Sequence, residues 1–182
     1  MRREVLEPRL AERLQKQYFM ERLPADLGEL VEHVKKKTIS TPGGREMIAS
    51  IREGKMTLGQ TDQDRGQSIV SPSGEEVKVM CGYDALGSAL LRGEGLVKAT
   101  CFHCGEQMEI QIRERKVVET SNPSILFWLG DGPKGIPICD HYNLFPDRKH
   151  LDSWLETNKE ELGIALSLED AVGFLKESSD GL

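Results

Sequence analysis

Apolar residues recur at helical spacing through the first sixty positions and change rhythm afterwards. Leu6, Leu10 and Leu14 stand one helical repeat apart and predict a first helix. Pro24 interrupts the pattern, and Asp26 is placed to cap a second helix with the apolar row Leu27, Leu30, Val31 and Val34. Thr41-Pro42 predicts a third start, an N-cap followed by proline at the first helical position. Met47, Ile48 and Ile51 give that helix its apolar side, and Gly54 ends it. Residues 59–68, GQTDQDRGQS, are polar and glycine-containing and read as a linker.

Beyond the linker the pattern turns strand-like. Ser68–Val70 and Val77–Met80 flank Pro72-Ser73-Gly74, which predicts a hairpin. A helix over 84–92 follows, broken by Gly93 and Gly95. Strands are expected over 96–101, 108–112 and 116–119, the first two joined by the Cys101–Gly105 turn. Ile125–Leu129 reads as a buried strand. Gly130, Gly132, Pro133, Gly135 and Pro137 then predict a loop that delivers Cys139. Leu151 opens one more helix, and Ser167 caps a last one. Strands and helices mix without a regular βαβ beat, so the expected class is α+β. The organisation expected is an N-terminal helical region, 1–60, and a mixed or antiparallel-sheet core with flanking helices, 68–178.

The 182 residues are 38% hydrophobic and 30% charged, enough at this length to bury a core. No run approaches the roughly 20 apolar residues of a membrane helix, and Met1-Arg2-Arg3-Glu4 lacks the apolar stretch of a secretory signal. A cytoplasmic protein that does not enter membranes is expected. The net charge is −6. Residues 1–60 hold 12 Lys/Arg against 9 Asp/Glu and the rest 12 against 21, so the excess positive charge is confined to the helices. This balance argues against a polyanion partner, which needs a basic face. Lys35-Lys36-Lys37 reads as a solvated helix end.

Four cysteines remain, Cys81, Cys101, Cys104 and Cys139. In a reducing compartment they point to metal or thiol chemistry rather than to a disulfide framework. In Cys81-Gly82-Tyr83-Asp84 a thiol ends a strand and a carboxyl stands three residues on, so both can face one ligand. The helix start is expected to favour a thiolate there. The plainer reading is a buried cysteine beside a capping aspartate. Cys139-Asp140-His141 follows a glycine–proline loop, where functional groups often sit; His141 reads as a hydrogen-bonding partner sooner than a metal ligand. Cys101-Phe-His-Cys104-Gly105 is half of a zinc-ribbon site. Its three readings are a metal site, an inert pair and a redox pair.

In their order and spacing these segments resemble the organomercurial lyase (alkylmercury lyase) family, from about Ile69 to Phe174. The residues that carry the likeness are Val79-Met-Cys81-Gly-Tyr-Asp84-Ala-Leu86, then Leu96-Val-Lys-Ala-Thr-Cys101, then Cys139-Asp-His141-Tyr-Asn-Leu-Phe145, then Asp152-Ser-Trp154 and a final helix. The resemblance implies catalytic positions at Cys81, Asp84 and Cys139. Mercury(II) is soft and prefers thiolates. Two thiolates would load electron density onto the metal-bound carbon, and Asp84 would carry the proton to it. It further implies a small organomercurial substrate, no required cofactor, Hg(II) as bound product, and cellular thiols or a mercuric reductase as the acceptor of that ion. Asp140 follows Cys139 where many members have a second cysteine, and Cys104 adds a thiol to the usual single one at Cys101. That pair is the candidate for zinc or mercury, and a heavy-metal or zinc-binding module on a lyase-like frame is the alternative function. Tyr83, Trp128, Phe145 and Trp154 are candidates for walls of the substrate site, with core packing the plainer role of the two tryptophans.

Overall fold

The computed structural model of the chain describes residues 5–18, 20–131 and 138–180. The charged start at 1–4 and the run containing Gly132, Pro133, Gly135 and Pro137 lie outside the described residues.

Three helices come first: α1 (Pro8–Tyr18), α2 (Leu27–Ser40) and α3 (Gly44–Arg52). Leu10 and Leu14 of α1 are buried, as is Leu6 ahead of it. Asp26 caps α2 by accepting the Glu29 N–H at 3.0 Å, which satisfies one of the open donors of the first turn. The third helix departs from expectation. Thr41 closes α2 by donating its N–H to the Lys37 carbonyl at 3.0 Å, and α3 begins at Gly44 behind Gly43, whose φ is 77°. A Cβ at Gly44 would overlap the Thr38 carbonyl. The close turn between the two helices therefore uses the glycine pair, and Pro42 stands in the turn rather than at a helix start.

The first sheet contains β1 (Gln67–Val70), β2 (Glu76–Lys78), β3 (Glu94–Thr100), β4 (Gln107–Arg113) and β5 (Lys116–Thr120). Its order is β2-β1-β3-β4-β5, with every neighbouring pair antiparallel. Helix α4 (Gly82–Arg92) connects β2 to β3 and ends at Gly93, φ 88°. Alternation in β3 and β4 turns Val97, Ala99, Met108, Ile110 and Ile112 inward. They share one core with Ala85, Leu86, Ala89 and Leu90 of α4. Gly95 lies inside β3 rather than before it, because Ile69 of the neighbouring strand crowds its backbone.

The second sheet has β6 (Leu126–Asp131) between β7 (Tyr142–Phe145) and β8 (Leu162–Ser167), again antiparallel. A 3₁₀ turn, η1 (Ile138–Asp140), leads into β7. Helices α5 (Arg148–Thr157) and α6 (Leu168–Ser179) complete the chain, α6 capped by Ser167 as expected, through the Asp170 N–H at 3.1 Å. Sequence patterning does not predict β7 and β8. All four residues of β7 are buried, so it has no alternation to read, and β8 runs straight into the cap of α6.

The N-terminal helices do not stand apart. Leu10, Leu14, Leu27, Leu30 and Val31 belong to the same buried cluster as the two sheets; α2 packs on α6 and α3 on α4. The stretch 59–68 is likewise more than a linker. The Gly59 carbonyl accepts the Met80 N–H at 2.9 Å, and Thr61 donates to the Lys78 carbonyl at 3.1 Å. That pairing holds the segment beside the end of β2. An α+β fold of two antiparallel sheets with flanking helices results.

Candidate active site

Cys81 occupies the cap position of α4, and Asp84 lies in that helix's first turn. Gly82 between them permits a close approach: a Cβ there would meet Leu144 of β7 at 3.1 Å. Packing the start of α4 on β7 brings η1, and with it Cys139, to the same point. The Asp84 Oδ2 is 3.3 Å from the Cys81 sulfur and 3.8 Å from the Cys139 sulfur. The three donor atoms lie within 4.8 Å of one another. Cys81 is buried, while Asp84 and Cys139 are half-buried, so the cluster sits at the edge of the core.

The two thiols are shifted in opposite directions. The hydrogen bond with Cys139, burial and the Asp84 charge all push the Cys81 thiol up. Its position at a helix start was expected to favour a thiolate, but these two neighbours and the loss of water outweigh the dipole. Cys139 moves the other way. The hydrogen bond from Cys81 lowers it most, and the Arg65 guanidinium adds to that. Burial raises Asp84, while its hydrogen bonds with both cysteines pull it back in part. The site therefore holds a thiol that keeps its proton, a thiolate-prone sulfur and a carboxyl that takes up a proton readily.

Two residues of this site have no local signature in the sequence. Arg65 pairs with Asp140, next to Cys139, and only its charge within a polar segment could have marked it. Gly59, φ 55°, lies directly over Asp84, and a Cβ there would overlap the carboxylate. Other candidates take structural places. His141 is buried, with Nδ1 2.6 Å from Glu161 Oε1. Trp128 and Trp154 meet edge to face at 6.4 Å, and Phe145 packs on Trp154 at 5.4 Å; all three are core residues. Tyr83 is half-buried and lies 5.6 Å from the ring of Tyr142.

Cys101 and Cys104 lie in the turn between β3 and β4. Cys139 does not join them. Among the described residues Cys104 groups instead with Glu106 and His150. All four cysteines are free thiols.

Residues 67–178 match the model of the alkylmercury lyase (MerB) family. No curated protein matches the chain. A crystal structure of the mercury-bound form of MerB2 has a TM-score of 0.53 with this fold. Identity is 17%, over 94% of this chain and 90% of that one. That likeness carries the fold, including the N-terminal helices that lie outside the family match. No helix among the described residues is long and apolar enough to cross a membrane. The chain belongs to the alkylmercury lyase family, lyases that act on carbon–mercury bonds.

Proposed function

We propose that this protein cleaves carbon–mercury bonds by protonolysis, with Cys139, Cys81 and Asp84 as the reacting groups. The observation that carries the reading is the convergence of two sulfurs on one carboxylate oxygen, at 3.3 and 3.8 Å. Arg65 and the Cys81 thiol favour a thiolate on Cys139, so Cys139 takes the organomercury cation first and displaces its counter-ligand. Asp84 then removes the proton from Cys81, and the freed thiolate adds to mercury. Two thiolates raise the electron density on the bound carbon. The protonated Asp84 gives its proton to that carbon, the carbon–mercury bond breaks, and its electron pair forms the new C–H bond. The hydrocarbon leaves, and Hg(II) stays on the two sulfurs until solution thiols or a mercuric reductase remove it. The raised affinity of Asp84 for a proton suits the second half of this relay, because a carboxyl that ionised too readily would not hold the proton for carbon.

The test is evolution of benzene from phenylmercury in excess thiol. Asp84→Asn should still capture phenylmercury, with one mercury per chain, but benzene release should fall by 10²-fold or more, in the range of a lost acid–base group. Because the ionised Asp84 is penalised by burial, the same variant should melt above wild type at alkaline pH. The gap should close as pH falls through the raised folded value towards the unfolded one, where the wild-type carboxyl is protonated in the native state too. Benzene release by Cys81→Ser at the wild-type rate would sink the assignment.

A further inference from the structure

A second cluster of donor atoms lies outside the reacting site. The Cys104 thiol, the Glu106 carboxylate and a His150 ring nitrogen lie within 4.8 Å of one another. They come from two elements far apart in the chain, the β3–β4 turn and the first turn of α5. His150 is fixed twice by Asp147, which caps α5: its N–H donates to Oδ1 at 3.0 Å, and its Nδ1 lies 2.8 Å from the same oxygen. That leaves Nε2 facing Glu106 Oε2 at 3.6 Å. A carboxylate holding one ring nitrogen while the other faces a group of donors is the usual support of a metal-bound histidine.

The turn itself is closed by backbone hydrogen bonds. Gly105, φ 79°, lets the chain reverse. Its N–H donates to the Cys101 carbonyl at 2.9 Å, and the Cys101 N–H donates to the Glu106 carbonyl at 2.8 Å. The N–H groups of His103 and Cys104 point at the Cys101 sulfur, which adjoins that of Cys104. Cys101 is buried behind the turn and Cys104 is exposed, so a cation held here would sit at the surface, with one sulfur beneath it.

We propose that Cys104, His150 and Glu106, with Cys101 adjoining them, form a zinc(II) site that joins the β3–β4 turn to the start of α5. The donor set decides between metals. One sulfur, an imidazole nitrogen and a carboxylate, with a second sulfur adjoining the first, suit a borderline ion, whereas mercury(II) is soft and favours sulfur alone. The lyase centre, with two sulfurs converging, has the opposite bias. The site therefore does not depend on the lyase reading, and its failure leaves that reading intact.

The test is cobalt(II) and zinc(II) binding to four proteins: wild type, Cys104→Ser, His150→Ala and the double variant Cys81→Ser/Cys139→Ser. Metal per chain is measured after dialysis against a limiting free concentration, and the cobalt form is examined for thiolate-to-metal charge transfer and strong tetrahedral d–d bands. Wild type and the double variant should each bind one metal with these bands. Cys104→Ser and His150→Ala should bind at least ten-fold more weakly. Cys104 is exposed, so its replacement leaves the fold in place, and circular dichroism of the metal-free variants checks this. Three results would overturn the site: wild type that takes up no metal, as expected if His150 only shares an ion pair with Asp147 and Glu106; binding by Cys104→Ser or His150→Ala as tight as wild type; or loss of the metal in the double variant.

Discussion

Arg65 touches neither Cys81 nor Asp84, yet it helps set which sulfur ionises. Its guanidinium pairs with Asp140 and, second to the hydrogen bond from Cys81 in promoting ionisation, draws the Cys139 thiol down. Replacing it by alanine removes a positive charge from beside a thiolate. The sign follows: Cys139 holds its proton to higher pH, and the rate profile moves in the alkaline direction. Site-resolved alkylation of Cys139 by iodoacetamide, read by mass spectrometry across pH, should show that shift, and Arg65→Lys should restore part of it. A profile that stays in place would remove Arg65 from the account. At this scale C-x-x-D placed Cys81 and Asp84 on one helix face, and only the family resemblance joined Cys139 to them as a proposed reacting group. Arg65 was not legible. A single arginine in GQTDQDRGQS has no partner visible along the chain.

Among the elements, the segment before β1 matters most to the site. Gly59 lies over Asp84 with φ 55°. Alanine there carries the left-handed penalty, roughly 1 kcal/mol, and its methyl group needs the space of the carboxylate. Asp84 can swing aside, so the fold survives, but the carboxylate then leaves the two sulfurs. Gly59→Ala should lower the melting temperature by only a few degrees and reduce benzene release on the order of 10²-fold, the scale of an ångström-sized misplacement. Full activity in a folded Gly59→Ala would show that the covering segment does not position Asp84. The polar, glycine-bearing composition of 59–68 made it read as a spacer. Composition records that a segment is solvated, not what its backbone lies against. The same limit hid β7, where four buried positions in succession have neither helical nor strand period, and Thr41-Pro42, where a strong local start signal was overruled by the contact between Gly44 and Thr38.

For the molecule as a whole, the N-terminal helices share their core with both sheets. Removing residues 1–60 would expose α6 and α4 where α2 and α3 cover them, and would strip Leu10, Leu14, Leu27, Leu30 and Val31 from the common cluster. Each buried leucine or valine is worth roughly 1.5–3 kcal/mol, and a domain's whole margin is about 5–15 kcal/mol. The chain from residue 61 onward should therefore be unfolded or aggregated, and the full chain should melt in a single transition, read by calorimetry. Two separate transitions, or a soluble folded fragment, would show that the helices form an independent unit. The sequence by itself determined the α+β class, most helices with their Asp26 and Ser167 caps, and the alternating strands of the first sheet, since each depends on neighbours within a few positions. Tertiary structure alone decided what crosses longer distances: the meeting of α4 with β7 that brings Cys81 to Cys139, the hydrogen bond with Cys139 and the burial that push the Cys81 thiol up, the covering of Asp84 by Gly59, and the approach of the Cys101–Cys104 turn to His150. Pattern along a chain reports which face of an element avoids water; it does not report which other face that surface will meet.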